Sequence, residues 1–260
     1  MESELPNVSV NSYHGNRHSE RPNMSDEIAR FAGLKDPNVA SVLGEVHRAS
    51  KGDKWVFLRA LPSGLGALLT GKPFMDGITP HLANAFIGVP DEVGRLLYLT
   101  ARSIDAQQAI EFGTSFGISA LYLASAMRAN GGHFIGTEIE PRKVSVARDY
   151  LAHAGLSDWS DIREGNAMET LCSLKAPIDI VLLDGWKDLY LPVLKLLTPK
   201  LRPGAVVFAD NIYTFKKALA PYVAHVRAEG SGFESTTLPL GSGIEMSVYR
   251  PDLQADEKLA

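Results

Sequence analysis

Apolar and polar positions divide the chain into two unlike stretches. Up to about residue 88, apolar residues recur at helical spacing or crowd between glycines and prolines. Beyond it, short apolar runs alternate with amphipathic stretches. Ser25, followed by Asp26 and Glu27, predicts a helix start, with Ile28, Phe31 and Leu34 at helical spacing behind it. A second helix is predicted with Asp36 as its cap and Pro37 at its first position. It runs through Val42, Leu43, Val46 and His47 to Gly52. The segment Trp55 to Phe74 is apolar but broken by Pro62, Gly64, Gly66, Gly71 and Pro73, which predicts a loop-rich cover.

From Val89 the pattern becomes regular. Helices are predicted at about Pro90 to Arg102, Ile118 to Met127, Pro141 to His153, Lys187 to Leu197 and about Phe215 to Arg227. Between and after them lie the strand runs Ala109–Phe112, His133–Thr137, Ile178–Leu183, Ala205–Ala209, Phe233–Leu238 and Ile244–Tyr249. Such alternation builds βαβ units around a parallel sheet, and the last two runs, with only Pro239 to Gly243 between them, predict an antiparallel hairpin at one edge. The expected fold class is α/β: a Rossmann-like, mostly parallel seven-stranded sheet with an antiparallel edge hairpin and an N-terminal helical extension. The corresponding organisation is a flexible tail over 1–24, a helical and loop-rich cap that also serves oligomerisation over 25–88, a catalytic domain over 89–251 and a short tail over 252–260.

Composition narrows the picture only a little. A net charge of −4 offers no basic face to nucleic acid, and no run reaches the ~18 apolar residues of a membrane span. The polar first 25 residues lack the apolar centre of a secretory signal, so a cytoplasmic protein is expected. Cys172, the only cysteine, sits in Leu171-Cys172-Ser173-Leu174 and is expected to be a small buried hydrophobe, with no disulfide or zinc cluster to join.

Ligands of open α/β sheets bind at the carboxyl ends of the strands. After the first strand comes Glu111-Phe112-Gly113-Thr114-Ser115-Phe116-Gly117-Ile118-Ser119, where Gly113 permits a tight turn and Gly117 lets the next helix pack close to a ligand. About 20 residues on, Glu138 ends the second strand, placed to hold two ribose hydroxyls. A dinucleotide fingerprint needs a third glycine for its pyrophosphate, and none is present here. A ligand with adenosine but no pyrophosphate fits better.

The fourth strand ends in Leu183-Asp184-Gly185-Trp186-Lys187-Asp188 and the fifth in Ala209-Asp210-Asn211. Side by side, these place Asp184, Asp210 and Asn211 at one rim, three oxygen donors suited to a hard cation such as Mg²⁺. Both aspartates also precede helices, where aspartate is a favoured cap; their joint occurrence favours a site. Lys187, three residues past Asp184, is within reach of the same spot, and a lysine beside a divalent cation gives up its proton more readily.

At this point the chain from Val89 to Tyr249 resembles the catechol O-methyltransferase family of class I methyltransferases. The motifs are Asp184-Gly185-Trp186-Lys187-Asp188-Leu189-Tyr190-Leu191-Pro192, Glu138-Ile139-Glu140-Pro141, Ala209-Asp210-Asn211-Ile212 and Ala224-His225-Val226-Arg227. The resemblance implies S-adenosyl-L-methionine and Mg²⁺ as cofactors. It implies that Val89, Gly113, Ser115, Gly117 and Ser119 line the methionine end, that Glu138 holds the ribose, that Ile139 and Trp186 flank the adenine, and that Asn166 and Ala167 pass its edge. Asp184, Asp210 and Asn211 match the metal ligands, Asp184 also bordering the cofactor, and Lys187 matches the base. Two departures matter: the family's catechol enzyme has a histidine where Gly185 sits, and its late acidic residue falls in a segment shortened here to Thr236–Gly243.

The expected activity is Mg²⁺-dependent methyl transfer to a hydroxyl of a catechol-like vicinal diol, with a hydroxylated aromatic small molecule as partner and a homodimer by analogy. The alternatives are a metal-independent or nitrogen-directed methyltransferase, or a cofactor-binding protein without catalysis. Of the histidines, only His81 is set where a substrate contact is conceivable.

Overall fold

In the computed structural model of the protein, which describes residues 32–52, 70 and 88–254, the second predicted helix forms as α1, Pro37–Gly52. Asp36 starts it: Oδ1 accepts the backbone N–H groups of Asn38 at 2.9 Å and Val39 at 3.1 Å, satisfying donors that a helix start leaves unpaired. His81, the N-terminal tail, residues 255–260, the loop-rich cover apart from Thr70, and the predicted helix from Ser25 apart from a 3-10 turn at Gly33–Lys35 lie outside the described residues. Residues 252–254, expected in the C-terminal tail, instead continue the last strand.

The remaining helices are α2 (Asp91–Ser103), α3 (Ile118–Asn130), α4 (Pro141–His153), the one-turn α5 (Ala167–Thr170), α6 (Tyr190–Leu197) and α7 (Lys216–Arg227). The strands are β1 (Gln108–Phe112), β2 (His133–Glu138), β3 (Ser160–Glu164), β4 (Ile178–Leu183), β5 (Leu201–Ala209), β6 (Ser231–Leu238) and β7 (Ile244–Gln254). They form one seven-stranded sheet in the order β3-β2-β1-β4-β5-β7-β6. The β1–β2, β2–β3, β1–β4 and β4–β5 pairs are parallel, and β7 runs antiparallel to both its neighbours.

Alternation along the strands splits the core in two. Ile180, Leu182, Val206 and Phe208 face one helical layer that includes α1, α2, α3 and α4, whereas Val181, Leu183, Val207 and Ala209 face α6 and α7. Val39, Val42, Leu43 and Val46 of α1 are buried in the first layer, so the N-terminal helix belongs to the same core as the sheet.

Three expectations need correction. The strand Ser160–Glu164 was not among the apolar runs, because only Ile162 in it is buried. Lys187–Leu189 is a 3-10 turn and the regular helix begins at Tyr190. Cys172 is exposed: it lies in the turn after α5 with Sγ 2.8 Å from the Glu169 carbonyl, while its neighbours Leu171 and Leu174 take the buried positions.

Candidate active site

The carboxyl ends of β1, β2, β4 and β5 stand side by side, and the predicted residues Gly113, Glu138, Asp184, Asp210 and Asn211 lie at them, whereas Asn166 and Ala167 follow β3 and Val89 precedes α2. Gly113 has φ +92°, and a Cβ on it would stand 2.5 Å from N and Cα of Gly185, so the loops after β1 and β4 touch through their backbones. Gly185 is closed in turn by Phe112, whose ring would meet an added Cβ at 2.5 Å. The ring fills the space a side chain at 185 would need. Gly117, with φ +86°, ends the loop ahead of α3, and its close neighbour is Ala147 of α4 at 3.0 Å. Its lack of a side chain thus serves packing between helices.

Glu138 is held by backbone donors. One carboxylate oxygen accepts Ser115 N–H at 2.8 Å, the other those of Ile139 at 2.9 Å and Glu140 at 3.0 Å. The carboxylate is thereby fixed between the first two loops, with Ser115 itself at φ +50°. Asn166 caps α5, its Oδ1 accepting Met168 N–H at 3.0 Å, and Ala167 beside it is buried. Val89 is buried, and Gly88 before it packs on Ile118 at the start of α3.

At the acidic rim the parallel register sets Leu183 beside Ala209, so Asp184 and Asp210 leave adjacent strands at the same level. Asp184 N–H donates to Phe112 O at 2.8 Å and Asp210 N–H to Leu183 O at 3.1 Å. Neither carboxylate caps a helix: the turn at Lys187 and the helix at Lys216 both start without a side-chain cap. Burial pushes the Asp184 carboxyl up, with Lys187 opposing it. Burial and the charge of Asp184 push Asp210 up to about 7. Two carboxylates thus share one lysine, a surplus of negative charge that suits a cation. Among the described residues no group of three or more His, Cys, Asp and Glu forms, and the third donor at this rim is the amide residue Asn211, at φ +68°.

Lys187 is positioned from three sides. Nζ lies 3.3 Å from Asp184 Oδ1, donates to the Tyr190 hydroxyl at 2.8 Å, and stands 5.5 Å from the centre of the Phe215 ring. The Tyr190 hydroxyl donates to the Asp210 carbonyl at 3.3 Å, and burial holds its proton firmly. Tyr190 therefore connects the lysine to the second aspartate, a role its i+3 spacing from Lys187 could have signalled.

Glu111 was also missed. It is fully buried at the carboxyl end of β1, where burial pushes it up to about 8 and the Ser119 hydroxyl, which it accepts, opposes the rise. Its Oε2 has no hydrogen-bond partner among the described residues. The signal was a charge inside the apolar run Ala109-Ile110-Glu111-Phe112. Ser119 is buried with its hydroxyl committed to that carboxyl. Ile139 and Trp186, by contrast, are 62% and 51% exposed at the ends of β2 and β4.

The chain is similar to known methyltransferases. A family described as "Methyltransferase domain" matches residues 110–212. A probable O-methyltransferase of Mycobacterium tuberculosis is 32% identical over 180 residues, 64% of this chain and 74% of the relative. Catechol O-methyltransferase of Sus scrofa is 30% identical over 155 residues, 54% of this chain and 81% of the relative. For two further catechol O-methyltransferases, from Mycobacterium tuberculosis and Danio rerio, the match spans 57% and 55% of their length. In fold, the chain is similar to an O-methyltransferase from Bacillus cereus in complex with SAH, with a TM-score of 0.60, 21% identity, and 79% of this chain and all of that one covered.

Proposed function

The chain belongs to the S-adenosylmethionine-dependent O-methyltransferases of the catechol O-methyltransferase kind, and from that premise we propose that it methylates one hydroxyl of an aromatic vicinal diol with the help of Mg²⁺. The observation that carries this reading is the meeting of Asp184, Asp210, Asn211 and Lys187 at the adjacent ends of β4 and β5.

The cofactor site is supported by this chain's own geometry. Gly113 leaves no room for a side chain between the β1 and β4 loops, Glu138 is pinned at the ribose position, and Ile139 and Trp186 keep exposed apolar surface for a flat adenine. Val89, Ser115, Gly117, Ser119, Asn166 and Ala167 complete it as lining and supporting residues, with Asp184 at its border. S-adenosylmethionine supplies an electrophilic sulfonium methyl group there.

Asp184, Asp210 and Asn211 would hold the cation, whose contribution is to acidify a chelated hydroxyl that is otherwise a poor nucleophile at neutral pH. Lys187 takes the hydroxyl proton at Nζ, with Asp184 and Tyr190 keeping that nitrogen in place. The remainder is positioning, worth about 7–11 kcal/mol in well-oriented systems.

The test is methyl transfer from S-adenosylmethionine to 3,4-dihydroxybenzoate, with products identified by mass spectrometry. Asp184→Ala or Asp210→Ala should lower kcat/KM on the order of a hundredfold or more. Full wild-type activity in excess EDTA would overturn the metal assignment, and methylation of an amine instead of the diol would overturn the O-directed reading.

A further inference from the structure

Lys187 stands in the middle of the segment 184–190, which leaves the sheet at the end of β4 and enters α6. Its Nζ is set from the far end of that segment: the Tyr190 hydroxyl accepts it at 2.8 Å, and the Tyr190 ring centre lies 5.0 Å away. Tyr190 is fully buried, so the direction of its hydroxyl depends on what packs against its ring. Two aromatic rings do so edge-on, Tyr222 of α7 at 5.9 Å and 90°, and Phe112 at the end of β1 at 6.3 Å and 79°.

Phe112 reaches the near end of the same segment as well. Its carbonyl accepts Asp184 N–H at 2.8 Å. Its ring lies where a side chain on Gly185 would go, with Cζ, Cε1 and Cε2 at 2.5, 2.6 and 2.7 Å from a Cβ built there. Gly185, unlike Gly113, is not left-handed, so its lack of a side chain answers to this ring and not to a turn of the backbone. Phe112 therefore touches the segment at 184, at 185 and at 190, on both sides of Lys187, from a strand to which the segment does not belong.

We infer that Phe112 is a positioning residue for Lys187: seated on the bare backbone of Gly185 and braced against Tyr190, its ring fixes the segment between them and thereby the place of Nζ. This rests on the O-methylation reading for the task given to Lys187, whereas the placement itself is read from contacts within the chain. A large ring at 112 and no side chain at 185 are then a matched exchange of volume in a close-packed interior. A side chain at either position is tolerated only if the other gives way.

The experiment uses the full chain, isotope-labelled at the lysine ε carbons for NMR, with initial rates on S-adenosylmethionine, Mg²⁺ and 3,4-dihydroxybenzoate in parallel. Ring currents of Tyr190 at 5.0 Å and Phe215 at 5.5 Å displace the Lys187 signal, which is identified by its loss in Lys187→Arg. Phe112→Leu should move that signal toward those of exposed lysines and lower kcat on the order of tenfold, with KM and the Kd of S-adenosylhomocysteine within about threefold. Gly185→Ala, which presses on the ring from the other side, should do the same. Phe112→Leu combined with Gly185→Ala puts a methyl group into the space the ring has left. It should return the signal and bring kcat to within about threefold of wild type. Three results would overturn the inference: an unmoved Lys187 signal in Phe112→Leu, a fall in kcat matched by equal losses of affinity, or a double variant that is unfolded or no better than the worse single one. If the wild type transfers no methyl group, the O-methylation reading fails, while the NMR arm still decides whether Phe112 places Lys187.

Discussion

Two acidic residues inside apolar strands show how burial separates support from chemistry. Asp179, at the amino end of β4, accepts N–H groups of Gln107 at 2.9 Å and Gln108 at 2.8 Å and pairs with Arg202, so its charge is compensated and it stitches three segments together. Glu111, at the carboxyl end of β1, has one hydroxyl donor and an oxygen to spare. Its folded-state pKa of about 8, raised by burial, lies above the ordinary glutamate value near 4.3. Across that window the ligand-free folded protein keeps a proton that the unfolded chain has released. The unfolded state thus binds fewer protons, and this group's contribution to stability is full below about pH 4.3 and is lost as pH rises through about 8. Glu111→Gln removes the titration while keeping the shape. Relative to wild type, the variant should gain on the order of a few kcal/mol on going from pH 5 to pH 8.5, read as the difference in urea midpoints. An equal offset at both pH values would mean that Glu111 is already ionised in the folded protein.

At the scale of elements, the closing hairpin holds the most that sequence alone did not reveal. The turn between β6 and β7 was legible, but a short connection does not say which strand joins the sheet. The structure inserts β7 between β5 and β6, leaving β6 at the edge. Side-chain chemistry accounts for the choice. Glu245 of β7 is fully buried opposite Ala209, and it receives both arms of Arg227 on α7, at 2.6 and 2.8 Å, together with the hydroxyls of Ser235 and Thr237 on β6. Burial alone would raise its pKa, but these donors hold it below the usual carboxylate range. Arg227→Ala should strand that charge and destabilise the fold by about 2 kcal/mol in urea titration, less than a fully buried pair because the arginine is half exposed. Adding Glu245→Leu to Arg227→Ala should recover part of the loss, since no buried charge then remains. A double variant weaker than the single would refute the pairing argument. The edge strand β3 stayed hidden for a different reason: an edge strand with one buried residue in five carries almost no hydrophobic signal. The rim of the site was readable because each of its residues directly follows a strongly apolar buried strand. Tyr190 was only half readable: its spacing of three from Lys187 signals that contact, but its bond to the Asp210 carbonyl joins segments that no spacing rule encodes.

Over the whole molecule, the question is whether the N-terminal helix is an accessory or part of the folding unit. Its apolar face is buried in the core shared with α2 and α3, and two polar connections fix its orientation. Near its end, His47 meets the Tyr122 hydroxyl at 2.8 Å, which in turn donates to Asp91 at 2.6 Å, joining α1, α3 and α2. At its start, Asp36 does two things: Oδ1 caps the helix, and Oδ2 lies 3.5 Å from Arg128 of α3, with both side chains more than nine-tenths buried. Nε of Arg128 has no hydrogen-bond partner among the described residues, so its charge is compensated chiefly by Asp36. The two functions of Asp36 can be separated, because asparagine caps a helix as well as aspartate does but carries no charge. Asp36→Asn should therefore cost about 3 kcal/mol from the stranded arginine, lowering Tm by roughly 6–12 °C, and Asp36→Ala about 1 kcal/mol more for the lost cap. If α1 belongs to the cooperative unit, helical circular dichroism and tryptophan fluorescence will shift together in each variant and give one midpoint. An early loss of helical signal at unchanged fluorescence would instead show that α1 detaches on its own, and that the sheet with its remaining helices stands without it.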